Sequence, residues 1–470
     1  MTLKYVSTRG TAPVLTFDDV LLTGLARDGG LYVPESWPTL SPDQLRSFRG
    51  RPYAEVAVEV MWPYVEGTLE RDVFVEMVDD AYSTFRHPDV CPLVPMGGNT
   101  WLLELFHGPT LAFKDVALQL VGHLFEHELL KRGERVTIVG ATSGDTGSAA
   151  IEACRDRDPI EIFILHPAGR VSDVQRRQMT TVPSANVHNL AVEGTFDDCQ
   201  DLVKAMFNDI AFRDRHHLSA VNSINWARIL PQVVYYVTAA VALGAPEQPV
   251  AVSVPTGNFG NVFAAWVARR TGVPIRTLIV GSNTNDILTR TFDTGRMEMR
   301  GVVPTTSPSM DIQVSSNFER LIFELAGRDG AAVAELLTRF REEGTVDLAG
   351  ILDPAGEIFD AARLDDDAVA RVIAATYRRT GMVVDPHTAV GLGAAALCHD
   401  DPTVPMICVA TAHPAKFPDA VEAAIGVRPE LPEGFADRLS RPERYRTLPN
   451  DLAAVEEHVE STLGRRDRSW

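Results

Sequence analysis

Short apolar runs alternate with helix-like segments through most of the chain after about residue 100. Each run is flanked by Gly, Pro or polar residues, a pattern typical of a buried strand. The predicted strands are Val136–Val139, Ile160–Leu165, Val187–Val192, Val250–Val254, Ile275–Val280 and Met406–Ala410. The predicted helices between them are Thr146–Arg155, Phe196–Asn208, Asn225–Leu243, Asn261–Thr271, Asp366–Thr380, Thr388–Cys398 and Asp419–Ile425. This alternation predicts right-handed βαβ units and an α/β fold with parallel sheets covered by helices on both faces.

The first part of the chain differs from this pattern. Up to about residue 95, short helical patterns are interrupted by a Gly-Gly pair and three prolines between residues 29 and 42. Further on, the segment Leu243–Pro249 separates two α/β regions. We therefore predict a small, mainly helical N-terminal domain (1–95) and two open parallel-sheet α/β domains (96–245 and 246–470). We expect the ligand cleft between the two sheet domains, and a Pro- and Arg-rich, then helical, tail after about residue 428.

One uncharged run, Ile229–Pro246, approaches the length that crosses a bilayer. It contains Pro231, Gln232 and two tyrosines, and a polar loop precedes it. We predict a buried helix here, and a membrane span is the alternative.

Composition narrows the possible partners. The 470 residues include 63 Asp and Glu against 44 Lys and Arg, and the net charge of −19 disfavours nucleic acid and anionic membranes. Only five residues are lysines, so a mechanism that needs an amine nucleophile has five candidates. The five cysteines form no CxxC pair, which indicates neither a disulfide framework nor a metal site and favours a reducing cytoplasm. No apolar segment follows Met1, so we expect no signal peptide.

Turns rich in Gly, Ser and Thr follow two of the predicted strands, where open parallel sheets bind ligands. Ala141–Gly147 (ATSGDTG) places N–H groups and hydroxyls at a helix start, which suits a carboxylate or phosphate; a capped turn without ligand is the alternative. Pro255–Asn261 (PTGNFGN) has glycines that let the backbone wrap a phosphate; a Gly-rich turn without ligand is the alternative. The chain has no P-loop, and this turn is not GxGxxG, so nucleotide binding is disfavoured.

A third turn, Ala410–Lys416 (ATAHPAK), also follows a strand. Thr411 and His413 would face the same cleft, and Lys416 could contact a ligand. A buried capping threonine and a core histidine are the alternatives.

Lys114 differs from the other lysines in its surroundings. Lys4 lies in the N-terminal stretch, Lys131 precedes Arg132 at an exposed helix end, and Lys204 lies on a helix beside acidic residues. These three are interpreted as surface residues. Lys114 ends the apolar turn GPTLAFK, where desolvation would favour the neutral amine that an imine-forming lysine needs. Asp115 would oppose this effect, and a purely structural lysine is the alternative.

These features together suggest a pyridoxal phosphate site. That cofactor needs an imine-forming lysine, a phosphate cradle and a partner for its ring nitrogen. Lys114 and the PTGNFGN turn supply the first two, and Thr411 is a candidate for the third.

Eight motifs occur in order along nearly the whole chain: YVSTRG (5–10), LARDGGLYVP (25–34), GPTLAFKD (108–115), ATSGDTG (141–147), VNSINWAR (221–228), PTGNFGN (255–261), DPHTAVG (385–391) and TAHPAKF (411–417). In this order they resemble the threonine synthases, which are pyridoxal-phosphate enzymes of the tryptophan-synthase-β fold type. The first two motifs resemble the start of the long form of that family. The resemblance implies that O-phospho-L-homoserine and water are converted to L-threonine and phosphate.

The resemblance also implies roles for single residues. Lys114 matches the catalytic lysine that binds the cofactor as a Schiff base. The other implied cofactor contacts are Gly257, Asn258, Phe259, Gly260 and Asn261 at its phosphate, Thr411 at its pyridine nitrogen and Asp145 near its O3′. The implied substrate contacts are Thr142, Ser143, Gly144 and Thr146 at the carboxylate, and Asn222, Ser223 and Arg228 at the phosphate. Many fold relatives have Asn where this chain has Asp145, so the role of Asp145 stays open.

In the implied mechanism, the Lys114 amine removes protons from Cα and Cβ, phosphate leaves Cγ, and water adds at Cβ. The closest alternative is a fold-related lyase, either an amino-acid dehydratase or a phosphohomoserine phospholyase. A catalytically silent relative would lack the lysine or the phosphate turn, and both are present. We expect a small-molecule substrate, no nucleic-acid or membrane partner, and a cytoplasmic monomer or homodimer.

Overall fold

The computed structural model describes residues 2–142, 144–220 and 223–466. Contacts divide the chain into two compact units, each built from two stretches of sequence. The first unit comprises Met1–Leu120 and Ser223–Glu430, and the second comprises Val121–Asn222 and Leu431–Trp470. The domain limits expected near residues 95 and 245 stay a prediction.

The first unit is built on a six-stranded sheet. Its strand order is β13-β10-β9-β14-β4-β3, and all neighbours are parallel except β3 and β4. Two-stranded antiparallel ladders join β1 to β2 and β11 to β12. The strands are β1 (Tyr5–Ser7), β2 (Tyr32–Pro34), β3 (Leu93–Gly97), β4 (Thr100–Glu104), β9 (Val250–Pro255), β10 (Ile275–Ser282), β11 (Arg296–Glu298), β12 (Thr345–Asp347), β13 (Phe359–Arg363) and β14 (Met406–Ala410).

Helices surround this sheet because its strands are apolar on both faces, as in β9, where every residue is buried. They are α1 (Phe17–Thr23), α2 (Pro42–Ser47), α3 (Tyr53–Val65), α4 (Arg71–Ser83), α10 (Trp226–Ala242), α11 (Gly260–Arg270), α12 (Ile287–Thr294), α13 (Phe318–Leu325), α14 (Gly330–Glu343), α15 (Ala349–Leu352), α16 (Asp366–Thr380), α17 (Pro386–Cys398) and α18 (Pro418–Ile425). Short 3₁₀ turns cover Pro308–Met310, Asp353–Glu357 and Pro414–Lys416.

The second unit has an all-parallel, five-stranded sheet in the order β15-β7-β6-β5-β8. Its strands are β5 (Val136–Ala141), β6 (Ile160–Pro167), β7 (Val187–Glu193), β8 (Leu218–Ser219) and β15 (Arg446–Pro449). Its helices are α6 (Asp145–Cys154), α7 (Asp173–Thr180), α8 (Phe196–Asn208), α9 (Ile210–Arg215), α19 (Phe435–Leu439) and α20 (Leu452–Arg466). The helix α5 (Lys114–Arg132) begins in the first unit and ends in the second.

The predicted α/β class with parallel sheets is confirmed. All six predicted strands are present, with ends shifted by two residues at most. The tail prediction lacked one strand: β15 pairs with β7, although its sequence RTLP contains a single large apolar residue. This edge strand has only four residues, which is too short to show the alternation of apolar and polar residues that predicts a strand.

Residues 229–242 of the uncharged run lie in α10, and nearly every residue of that helix is buried, which confirms the predicted buried helix. In the part of the chain that is described, no helix combines the length and apolarity needed to cross a bilayer.

Candidate active site

Three loops of the first unit follow neighbouring strands at one edge of the six-stranded sheet. β14 lies between β9 and β4 and is parallel to both, so the carboxyl ends of all three meet at that edge. β9 leads into the glycine loop (Pro255–Asn261), β14 into the threonine turn (Ala410–Lys416), and β4 into the segment that contains the lysine turn (Gly108–Asp115). The fold therefore brings three of the sequence-predicted sites together.

The lysine turn is held by an internal carboxylate. Both side-chain oxygens of Asp115 accept hydrogen bonds from Thr110, at 2.8 Å from its N–H and 2.6 Å from its hydroxyl. Gly108 is needed here because a Cβ would lie 2.5 Å from that of Asp115. Lys114, the first residue of α5, is only 9% exposed, so the amine predicted to be catalytic is largely withdrawn from solvent.

The threonine turn is bonded directly to the lysine turn. The Phe113 N–H donates to the Thr411 carbonyl at 2.8 Å, and the His413 N–H donates to the Leu111 carbonyl at 3.0 Å. Leu111 is fully buried and has a positive φ of 63°, a conformation that costs about 1–2 kcal/mol for a side chain of this kind. Lys416 is also fully buried, and its Nζ donates to the Thr110 carbonyl at 2.8 Å. Thr411 is thus fixed beside Lys114 through the backbone.

His413 is partly exposed, and its ring nitrogen bonds within the threonine turn. Its Nδ1 accepts the Ala415 N–H at 3.2 Å, and its ring packs on Phe106 with centroids 5.4 Å apart. Burial, assisted by Arg86, lowers the pKa of His413 to about 4. The ring is therefore neutral at physiological pH.

The glycine loop contains successive backbone N–H groups that are available to a ligand. Within the described chain, none of the backbone N–H groups of residues 257–262 donates to a protein acceptor. The last three belong to the first turn of α11, where N–H groups have no intrahelical partner and the helix dipole favours an anion. The arrangement suits a phosphate that would accept several of these N–H groups at once.

Phe259 anchors this loop despite a positive φ of 62°. Its ring is 1% exposed and packs against Phe292, Phe318 and Phe359 at centroid distances of 6.4, 5.1 and 6.1 Å. Burial of an aromatic ring contributes about 2–3 kcal/mol, enough to offset the backbone strain. A left-handed residue next to helical residues is the backbone geometry of anion-binding turns.

A second segment, Ser309–Asn317, is hydrogen-bonded to the glycine loop. The Ser315 hydroxyl donates to the Gly257 carbonyl at 2.7 Å, and the Asn317 side-chain NH₂ donates to the Asn258 carbonyl at 3.0 Å. A Cβ at Gly257 would lie 2.8 Å from the Ser309 carbonyl oxygen, so only glycine fits there without a backbone shift. Asn317 also donates to the Ser223 carbonyl at 3.1 Å, which places the predicted substrate contact Ser223 next to this loop.

Arg228 lies in the first turn of α10 and is 4% exposed. Among the described residues, its Nε and Nη1 have no hydrogen-bond partner. Burial lowers the pKa of Arg228 to about 10, and the guanidinium is still cationic at neutral pH. A buried cation without an acceptor is costly, so this side chain indicates an anionic ligand.

Arg320 on α13 is also buried, and its donors are used within the protein. It donates to the Tyr32 carbonyl at 3.0 and 3.1 Å, to the Ile224 carbonyl at 2.6 Å and to the Asn317 side-chain oxygen. Burial lowers the pKa of Arg320 to about 9. Its role is to fix the segment before α10 and the support of the glycine loop.

The Thr142 loop (Ala141–Gly147) of the second unit is closed by its own hydrogen bonds. The Thr142 hydroxyl accepts the N–H groups of Gly144 and Gly147, both at 2.9 Å. The Gln175 side-chain NH₂ donates to Asp145 Oδ1 at 2.8 Å, and both side chains are buried. The carboxylate of Asp145 is therefore oriented from within the unit.

The predicted substrate contacts fall into three groups. Thr142, Gly144 and Thr146 lie in or next to the first turn of α6. Ser223 and Arg228 lie in the first unit. Ser143 and Asn222 lie outside the described residues.

Three family models match the chain: "Threonine synthase N terminus" over residues 4–82, "Pyridoxal-phosphate dependent enzyme" over 92–338, and "Threonine synthase, C-terminal" over 388–459. The threonine synthase of Pseudomonas aeruginosa is 54% identical over 99% of this chain and 100% of that protein. The chain belongs to the threonine synthase family. This confirms the resemblance seen in the sequence and makes pyridoxal phosphate its cofactor.

Two solved threonine synthase structures agree with this assignment. The pyridoxal-phosphate-bound enzyme of Brucella melitensis has a TM-score of 0.96 and 55% identity, covering 98% of this chain and 99% of that one. The yeast enzyme has a TM-score of 0.93 and 37% identity over 98% of this chain and 99% of that one.

The residues of the first unit fit the cofactor of this family. The open N–H groups of residues 257–262 suit its phosphate, and the Asn261 side-chain NH₂ is a further buried donor without a partner in the described chain. Lys114 is the buried amine, and Thr411 supplies a hydroxyl on the turn bonded to it.

The sequence did not single out Asn317 or Arg320, because each occurs in a segment without a motif. The two tyrosines and Gln232 of α10 were noted only as polar interruptions of an apolar run. Their helical spacing from Arg228 was the signal that they share one face.

Proposed function

We propose that the chain converts O-phospho-L-homoserine and water to L-threonine and phosphate, by γ-elimination followed by β-hydration. Membership of the threonine synthase family supports this reaction. The observation that carries it is the buried guanidinium of Arg228, separate from the donors of the glycine loop. One phosphate, that of the cofactor, suits the glycine loop, and Arg228 then suits a second phosphate, that of the substrate.

The bound cofactor supplies an electron sink that makes protons on the substrate carbons removable. We assign the proton transfers to Lys114. Its amine would take the Cα proton and, once it has released that proton, the Cβ proton before phosphate leaves Cγ, and protons would return to Cγ and Cα to complete threonine. Asn261 and residues 257–260 hold the cofactor phosphate, and the Thr411 hydroxyl binds the ring nitrogen. A hydroxyl there does not hold that nitrogen protonated as a carboxylate would.

The substrate contacts are proposals of the same kind. Arg228 and Ser223, with Asn222, bind the leaving phosphate, for which a guanidinium fork is well suited. Thr142, Ser143, Gly144 and Thr146 hold the substrate carboxylate. We propose that Asp145, whose side chain accepts a hydrogen bond from Gln175, would contact the cofactor at O3′. Water should enter only after phosphate has left Cγ, because earlier solvent would return a proton to the deprotonated carbon before phosphate leaves.

A lysine substitution tests this assignment. Lys114→Ala should abolish the absorbance of the lysine-bound cofactor and reduce threonine formation from O-phospho-L-homoserine below detection. Lys204→Ala is the matched control, because Lys204 is exposed and paired with Asp201 at 2.9 Å; it should keep both properties. Threonine formation by the Lys114→Ala protein would overturn the assignment.

We place the reaction in the cytoplasm and expect a monomer or homodimer with no nucleic-acid partner. All five cysteines are free thiols, which supports a reducing compartment. The net charge of −19 supports the absence of nucleic acid. Light scattering coupled to size exclusion would give the mass, and a species of about twice 51.4 kDa would indicate the dimer.

A further inference from the structure

The helix α10 carries a polar stripe on one face although it is almost wholly buried. Arg228, Gln232, Tyr235 and Tyr236 follow one another at spacings of four, three and one, so they occupy adjacent positions on that face. A buried helix is more stable with apolar side chains at such positions. Packing alone therefore does not explain this polar stripe.

The two tyrosine hydroxyls converge on one atom of the glycine loop. Tyr235 donates to the Asn261 side-chain oxygen at 2.6 Å, and Tyr236 donates to the same oxygen at 2.5 Å. All three side chains are buried, the tyrosines at 0% and 1% exposure and Asn261 at 7%. Burial raises the pKa of both hydroxyls well above the usual value, so both keep their protons and act as donors.

The other half of the Asn261 amide has no such partner. Its Nδ2 is buried, and no acceptor for it exists among the described residues. A carboxamide has its oxygen and its NH₂ on opposite sides of the carbon, so fixing the oxygen on the tyrosines directs the NH₂ away from α10. Asn261 is the second residue of α11, beside the open N–H groups of residues 257–262.

We propose that Tyr235 and Tyr236 are positioning residues for the cofactor phosphate, because together they hold the Asn261 amide with its NH₂ toward that phosphate. The inference rests on the proposed function, in which the glycine loop binds the phosphate of pyridoxal phosphate. Gln232 extends the network toward Arg228. Its NH₂ donates to the Arg228 carbonyl at 2.5 Å, and its side-chain oxygen lies 3.1 Å from the hydroxyl of Tyr235, whose single proton is donated to the nearer Asn261. The same helix face thus connects Arg228, proposed to donate to the substrate phosphate, with Asn261, proposed to donate to the cofactor phosphate.

The test compares two ligands that differ only in the phosphate. Apoenzyme is titrated with pyridoxal phosphate and with pyridoxal, and the ratio of the two dissociation constants isolates the phosphate contribution. The Tyr235→Phe/Tyr236→Phe double variant should weaken pyridoxal phosphate binding about tenfold, the loss expected for a misdirected hydrogen bond to a charged group. Pyridoxal binding should change by less than about twofold, within the scatter of a neutral substitution.

Tyr64→Phe is the matched control. Tyr64 is 2% exposed on α3, and its hydroxyl is buried without a hydrogen-bond partner in the described chain, so this variant should leave the ratio unchanged. The ³¹P resonance of the bound cofactor should shift in the double variant and not in the control. Equal losses for both ligands, or no loss for either, would overturn the proposal.

The Asn261→Ala variant tests whether the two tyrosines act through Asn261. In that background the tyrosine substitutions should change the ratio no further, whereas additive effects would contradict an action through Asn261. If the double variant does not fold, each single Tyr→Phe variant should still raise the ratio about threefold, since it removes one of two hydrogen bonds. A wild-type protein that binds no pyridoxal phosphate would instead overturn the proposed function itself.

Discussion

The glycine loop of the first unit and the Thr142 loop of the second have similar sequences, both rich in Gly and hydroxyl or amide residues at a helix start. They differ in what happens to their donors. In the glycine loop, the N–H groups of residues 257–262 donate to no acceptor within the described chain. In the Thr142 loop, one hydroxyl accepts two N–H groups and Gln175 orients the acidic side chain.

We interpret this difference as one between a site for a permanent ligand and a site for a transient ligand. Open buried donors are costly without an acceptor, so a loop of that kind is suited to a cofactor that remains bound. In the Thr142 loop, the hydroxyl that accepts the Gly144 and Gly147 N–H groups keeps the loop in shape while substrate and product exchange. The proposed roles of the two loops follow this division.

The largest loss of kcat/KM is expected on substitution of Arg228. Arg228→Met should lower kcat/KM for O-phospho-L-homoserine about 10³-fold, or about 4 kcal/mol, because the substrate phosphate loses a buried, charge-assisted partner. The unfolding free energy of the ligand-free protein should stay the same or rise, since the variant removes a buried charge without an acceptor. Steady-state kinetics and urea unfolding measure the two quantities.

Arg320→Met is the matched comparison, because Arg320 is buried in the same unit with its donors used. It should lower the unfolding free energy by about 3–5 kcal/mol, since several carbonyl acceptors lose their donor. Equal destabilisation by both substitutions would contradict the distinction between the two arginines.

The next effect concerns the glycine loop itself. Gly257→Ala should weaken pyridoxal phosphate binding about thirtyfold, or about 2 kcal/mol, because the added Cβ would displace the loop. That Cβ would lie 2.8 Å from the Ser309 carbonyl oxygen, and backbone cannot rotate aside as a side chain could. The measurement is a titration of apoenzyme with the cofactor.

Gly350→Ala serves as the control, since a Cβ there meets no atom within 4 Å. It should leave cofactor affinity unchanged. A Gly257→Ala protein with wild-type affinity would show that the loop does not need its close approach to Ser309.

The sequence predicted β9, β10, β14 and the three turns of the first unit because apolar runs and glycine-rich turns are local patterns. It could not predict which hydrogen-bond donors have no acceptor within the protein, since the acceptors lie far along the chain. Arg228 and Arg320 are both arginines in or next to apolar helices, and only the fold shows that Arg320 reaches the Tyr32 and Ile224 carbonyls. Likewise, nothing near Asn261 in the sequence indicates that it meets two tyrosines from α10.

The smallest effect is expected in the Thr142 loop. Thr142→Val keeps the shape of the side chain but removes the acceptor of the Gly144 and Gly147 N–H groups. The loop should then hold the substrate carboxylate less well, raising KM about tenfold, or about 1.4 kcal/mol, with cofactor affinity unchanged.

Thr137→Val is the control, because Thr137 is a buried threonine of β5 whose hydroxyl accepts neither of these N–H groups. It should alter neither constant. A Thr142→Val protein that lost cofactor affinity and kept its KM would reverse the roles assigned to the two loops.

The central claim is that phosphate release and water addition occur in one active site and give threonine. The most direct measurement incubates the purified protein, loaded with pyridoxal phosphate, with O-phospho-L-homoserine and quantifies phosphate, threonine and 2-oxobutyrate together. The account predicts one threonine for each phosphate released and no 2-oxobutyrate. Phosphate accompanied by 2-oxobutyrate in place of threonine would contradict it and identify a fold-related lyase.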